Sequence, residues 1–134
     1  MSSYPEQYLA FFYHFHTTRD YFECHEVLED LWLECGRDIF YQGLLQVAVA
    51  LYHHRNGNVG GARKMLLAAK RKLALYPSTW EGVDLADLLS KIEQYQDQME
   101  NGKIDLDDAP WNSFRLVLDN QLIQQIKEQF PEYS

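Results

Sequence analysis

From Ile39 to Asn56 the residues Phe40, Leu44, Leu45, Val47, Ala48, Leu51 and Tyr52 spread apolar groups almost all the way round a 3.6-residue period. A helix that is apolar on nearly every side belongs at the centre of its domain, and the rest of the chain has to cover it. Gln42, Gln46 and His53 are the exceptions. They lie within about 40° of one another on the wheel, with Val49 completing the narrow stripe, so the central helix 39–56 carries a polar seam.

The flanking segments read as helices with one apolar face each. Pro5 opens a helix over 5–16 that buries Tyr8, Leu9, Phe12 and Phe15 and leaves Tyr13, His14 and His16 exposed or flanking. Asp20 followed by Glu23 is a capping box for a helix over 20–35, and Gly36 stops it. Asp38 caps the central helix, Gly57-Asn58 ends it, and Asn58 caps the next, 59–76. That helix turns Ala62, Leu66, Ala69, Leu73 and Tyr76 inward, and its two small alanines permit a close approach to a neighbour. Pro77 to Gly82 is a break. Asp84 then caps 85–99, which buries Leu85, Leu88, Leu89, Ile92 and Tyr95 and ends at Asn101-Gly102. The Asp-rich segment 103–117 is expected to be a loop that drapes an aromatic residue onto the bundle, before a last helix over 119–129.

The expectation is an all-α, compact bundle of five to six helices built on two antiparallel helix hairpins, with 1–134 forming a single domain. Cys24, Leu28 and Leu31 recur as Ala62, Leu66 and Ala69 at the same spacing, an echo that two helix hairpins would produce. The hairpin of 39–56 and 59–76 also resembles one unit of a tetratricopeptide repeat. Two such units are too few for a solenoid, which needs about three.

With 134 residues, 46% of them hydrophobic, the chain is long and apolar enough to bury a core without metal or disulfide staples. No apolar run approaches the roughly 18–20 residues of a membrane span, and no charged leader precedes an apolar core, so a cytoplasmic location is expected. Cys24 and Cys35 on one helix stand about 16 Å apart along its axis, beyond disulfide reach, and are read as reduced. The net charge of −8 disfavours general nucleic-acid binding, but it is unevenly spread. Residues 39–80 hold six bases and no acid. Their main expected role is to balance acidic neighbours. The alternative is a phosphate- or partner-binding stripe of Arg63, Lys64, Lys70 and Arg71.

Chemistry concentrates in Tyr21 to Trp32. At 100° per residue Tyr21, His25, Leu28, Trp32 and Cys35 share one face, with Glu29 beside His25, while Glu23, Asp30 and Glu34 project away and Glu26 sits at the border. His25-Glu26-x-x-Glu29 resembles the zinc-protease pattern His-Glu-x-x-His without its second histidine. A metal-dependent hydrolase would have to use His25, Glu29 and His53 as ligands and Glu26 as general base. Paired Glu-x-x-His motifs, a glycine-rich phosphate loop after a strand and a Gly-x-Ser-x-Gly elbow are all missing. The simpler expectation is a buried polar seam in which His25 and Glu29 bond to each other and to Gln42, Gln46 and His53, so that losing one member costs about 1–3 kcal/mol.

Three runs, Phe22–Trp32, Phe40–His53 and Gly57-Asn58 with Gly61-Ala62, together resemble the small prokaryotic family catalogued as domain of unknown function 309, over about residues 20–75. The resemblance implies an all-helical domain with no established activity. It would carry over His25, Glu26, Glu29, Trp32, Gln42, Gln46 and His53. The functional expectation is therefore a helical binding or interaction module without a cofactor, more an adaptor than an enzyme. A pocket walled by Trp32, Tyr41 and Tyr52 would take an unknown small molecule or protein partner, and a homodimer is also in keeping with the aromatic content.

Overall fold

The computed structural model describes residues 3–102 and 106–134, so the first positions of the expected loop 103–117 lie outside the described residues. Six α-helices follow in order: α1 (Glu6–Tyr13), α2 (Tyr21–Glu34), α3 (Ile39–Arg55), α4 (Val59–Leu73), α5 (Leu85–Glu100) and α6 (Asn120–Gln129). The protein is an all-α bundle. Each expected cap is made by the side chain that the sequence offers. Asp20 accepts from Glu23 N (3.0 Å), Asp38 from Phe40 N (2.8 Å), Asn58 from Gly61 N (2.9 Å) and Asp84 from Asp87 N (2.9 Å). Each satisfies a backbone donor that a helix start leaves open. Among the described residues, no helix is long and apolar enough to cross a membrane.

α3 is the central helix. It packs most extensively on α4 and then on α2, while α1 lies against α2 and α6, and α5 against α4. Ala62 and Ala69 are fully buried, and at Gly43 an added Cβ would stand 2.8 Å from Leu73 Cδ2, so small residues set how near α3 and α4 come. The repeated trios Cys24/Leu28/Leu31 and Ala62/Leu66/Ala69 are the buried sides of α2 and α4, which accounts for the echo between them. α1 is more enclosed than its periodicity suggests. Tyr8, Phe11, Phe12 and Phe15 are wholly buried and meet edge-on, Tyr8 with Phe12 at 4.9 Å and Phe11 with Phe12 at 5.1 Å.

Three local features depart from the periodic reading. A π-helical turn, His14–Thr18, extends α1 and ends at Arg19 with φ 57°. His16, expected to be exposed or flanking, is buried: its Nδ1 meets Tyr133 Oη (2.7 Å) and its Nε2 accepts from Leu116 N (2.9 Å). The C-terminal segment covers it, and no pattern within α1 contains that information. The break after α4 folds as a minimal antiparallel hairpin, β1 (Thr79–Trp80) on β2 (Val83–Asp84). Its two turn residues, Glu81 and Gly82, both have positive φ (49° and 78°), the sign pattern of a type I′ turn.

Past α5, a 3₁₀ turn over Pro110–Ser113 lowers Trp111 onto α3, and Phe114 and Leu116 follow it into the core. Arg19 pins this segment, donating to Phe114 O (2.7 Å) and to Tyr21 Oη (3.0 Å), while Tyr21 Oη donates to Trp111 O. A left-handed arginine at the end of the π turn thus ties the C-terminal third to the first hairpin.

Candidate functional site

The buried side of α2 is Tyr21, Cys24, Leu28 and Leu31, so its core stripe is centred away from the face on which His25 and Trp32 were expected to point inward. His25 and Glu29 lie at the flank of that stripe. Cys35 falls beyond the last turn of α2 and is exposed. The flank faces α3 and forms one wall of a cleft lined by Tyr21, Phe22 and His25 from α2 and by Val49, Tyr52 and His53 from α3. The cleft has a volume of about 170 Å³. Phe22 leans towards Tyr52 across it, with ring centres 6.0 Å apart, yet remains 53% exposed.

His25 Nε2 pairs with Glu29 Oε2 at 2.7 Å, and its Nδ1 stands 3.4 Å from Glu26 Oε1. The imidazole is 30% exposed and the Glu29 carboxylate 44% exposed, so this i,i+4 pair contributes only about 0.3–0.5 kcal/mol. The wider network does not form. Among the described residues, Gln42 and Gln46 make no hydrogen bond to His25 or Glu29, and the His53 ring has the Asn58 amide as its hydrogen-bond contact, at 3.5 Å. Two buried polar atoms on these helices, Trp32 Nε1 and Gln46 Oε1, have no protein partner. The Arg37 guanidinium lies 5.4 Å from the centre of the Trp32 ring. Tyr41 is buried among Tyr8 and Phe40 and does not line the cleft.

Among the described residues, no group of three or more His, Cys, Asp or Glu side chains is arranged to hold a metal ion, so His25, Glu29 and His53 are not gathered as a ligand set.

Arg55 is the neighbour that sequence reasoning passed over. Its guanidinium lies 5.2 Å from the Tyr21 ring centre and 5.9 Å from that of Tyr52, and it donates to Arg19 O (2.8 Å). Two walls of the cleft are thereby backed by one cation. The only signal for it was the placing of Arg55 three residues after Tyr52, on the same side of α3. Two histidines do become interior groups, His16 and His54. His54 Nδ1 meets Tyr95 Oη at 2.5 Å, and burial lowers its pKa. Burial first, then the charges of Arg115, Arg19 and Lys91, lower that of His16 to about 3. Both are held neutral as part of the core. Burial likewise pushes the Cys24 thiol well up, leaving it a poor nucleophile.

The basic helix α4 divides its charge. Lys70 Nζ pairs with Glu93 of α5 at 2.8 Å, and Arg63 lines the same α4/α5 groove beside Asp97 and Glu100. Lys64 and Arg71 turn outward.

Comparison with known proteins adds kinship without an activity. The model of the family described as domain of unknown function (DUF309) matches residues 8–65. The match takes in α1 from Tyr8, which the resemblance read from residue 20 onward had left out, and it stops within α4. The uncharacterized protein YpuF of Bacillus subtilis (strain 168) is 40% identical over 102 residues, which cover 72% of this chain and 59% of that protein. An uncharacterized protein of Aquifex aeolicus (strain VF5) is 28% identical over 88 residues, covering 63% of this chain and 26% of its own length. The chain thus spans only part of both relatives. No solved structure matches it. Over residues 8–65, which run from Tyr8 in α1 through α2 and α3 and include both walls of the cleft, the chain is similar to the DUF309 family.

Proposed function

We propose that residues 1–134 act as one helical binding module whose α2/α3 cleft takes a single apolar group, an aromatic ring or a branched aliphatic side chain, from a small molecule or a partner protein. The observation that carries this reading is the cleft itself: an aromatic and aliphatic lining with an imidazole on each wall. Its 170 Å³ is below the roughly 300 Å³ at which drug-sized pockets begin, but near the roughly 150 Å³ that accommodates benzene. Larger furrows, such as the one of 480 Å³ between α4 and α5, are walled mainly by charged and amide side chains. His25 and His53 border the cleft with their rings, and His25 is held in place by Glu29 and Glu26 at its two nitrogens. The module is read as a binding protein of the cytoplasm, built on a tetratricopeptide-like α3–α4 hairpin and able to pair as a homodimer. Gln42, Gln46 and Trp32 lie beyond the cleft and line neither of its walls.

The test is an NMR titration of the His25 and His53 imidazole signals with indole, phenol and phenylacetate. Both rings should shift together and saturate. Val49→Trp, which fills the cleft, should abolish the shifts while leaving the fold intact. His25→Ala should weaken binding and yet melt close to the parent, because the Glu29 pair contributes so little. Shifts that persist in the plugged variant, or that never arise, would overturn the reading.

A further inference from the structure

The outward face of α4 is the surface that packing and the cleft leave unexplained. Ala62, Leu66, Ala69 and Leu73 form its buried side. On the opposite side Lys64, Leu67 and Arg71 fall in one stripe, and Leu75 continues it past the last turn, all within about 80° of the wheel. Leu67 is 41% and Leu75 72% exposed. Among the described residues, the Lys64 and Arg71 side chains make no ion pair or hydrogen bond, whereas Lys70, on the edge towards α5, is paired with Glu93. An ordinary solvated face would carry mixed charges and few large apolar groups. Here leucines alternate with unpaired cations in a stretch of sequence (39–80) without acids, and the acids of α5, Glu93, Asp97 and Glu100, line the groove on the Leu67 edge only.

We propose that this stripe docks an acidic amphipathic helix of a partner protein, its apolar residues laid over Leu67 and Leu75 and its carboxylates meeting Lys64 and Arg71. Charge complementarity selects this occupant. A second copy meeting the stripe through a two-fold axis would set Lys64 and Arg71 against their own equivalents, which repel. A nucleic-acid backbone would leave the leucines without a role. An anionic membrane is an extended sheet that would face the whole molecule, whose net charge is −8, and stable electrostatic anchoring takes about 4–8 clustered bases. A single helix covers the stripe alone, and at about 8 Å screening in physiological salt it responds mainly to the charges beneath it. The site is separate from the α2/α3 cleft, so either can fail without the other.

The experiment selects binders from a displayed library of helical peptides, using the parent protein and Lys64→Glu/Arg71→Glu. Parent-selected peptides should combine glutamate or aspartate with leucine at i, i+3 and i+4 spacing. The double variant should bind those peptides at least about tenfold more weakly and should enrich basic ones instead. Leu75→Ser should weaken the same peptides without changing the sign of the selected charge. All three positions are exposed, and circular dichroism would verify that the variants fold. Peptides without acidic bias, or equal binding by the double variant, would overturn the proposal. So would charge-dependent binding of the parent to vesicles of equal parts phosphatidylcholine and phosphatidylglycerol, or a parent dimer in sedimentation that the double variant loses.

Discussion

Replacing His16 tests whether the C-terminal segment is anchored through one buried imidazole. Its Nε2 accepts from Leu116 N at 2.9 Å, so the neutral ring carries its proton on Nδ1 and donates to Tyr133 Oη at 2.7 Å. His16→Phe keeps a flat aromatic ring, larger by one ring atom, but strands a buried backbone N–H and a mostly buried hydroxyl. With an unsatisfied buried group costing about 1–3 kcal/mol, and the hydroxyl able to recover some hydration, the loss should be about 2–4 kcal/mol. The same imidazole gives a pH signature. Its folded pKa is about 3 against 6.5 in the unfolded chain, so between those values the unfolded state holds one more proton. Stability attributable to His16 is therefore complete above about pH 6.5 and falls by about 1.4 kcal/mol per pH unit as the solution is acidified, roughly 2 kcal/mol by about pH 5. Urea denaturation of the parent and of His16→Gln, followed from about pH 7 to about pH 5, isolates this slope, because His54 and the carboxylates titrate in both proteins. Parallel pH curves for the two proteins, or a His16→Phe variant as stable as the parent, would refute the assignment.

Other positions give independent checks. Gly82→Ala places a Cβ 2.9 Å from Leu122 Cδ2 and 3.1 Å from Tyr4 Oη in a residue with φ 78°, and should cost about 1–3 kcal/mol in urea melts. Arg19→Ala removes charged hydrogen bonds to Phe114 O and Tyr21 Oη, partly open to solvent, and should lower stability by about 1–3 kcal/mol. It should also speed amide exchange over 110–116 more than in α3, the mark of a loosened strap rather than a weakened core. Thiol labelling of the native protein should modify Cys35 at once and Cys24 only after urea is added, since the first is exposed and the second buried against Phe11 O.

Helix order, helix starts and the capping side chains were legible in the chain because they depend on contacts within a few residues, such as a carboxylate three positions ahead of an amide, whereas α4 ends at Leu73 instead of 76 and α1 passes into a π turn after Tyr13. The close approach of α4 to a neighbour was legible too, since Ala62 and Ala69 are small on its inward side, whereas the matching Gly43 of α3 emerged only in the structure. The site was read less accurately. Wheel positions placed His25 and Trp32 inward, but the axis of the stripe depends on what packs against the helix. α1 and α3 together draw Cys24, Leu28 and Leu31 to the centre and leave His25 and Glu29 at the flank.

Tertiary structure alone settled the contacts between segments far apart in sequence. His16 is interior because Leu116 and Tyr133 cover it, a hundred and more positions away. Arg19 is a strap because the 110–116 segment returns to it, and Arg55 backs the cleft because α3 ends beside Tyr21. The sequence by itself determined the helices and their caps, which follow from local spacing and charge, whereas of the expected stripe on α4 the fold left Lys64 and Arg71 outward and turned Arg63 and Lys70 towards α5. Only the folded chain decided which polar groups are satisfied and which face solvent, because burial is a property of neighbours that no short stretch of sequence contains.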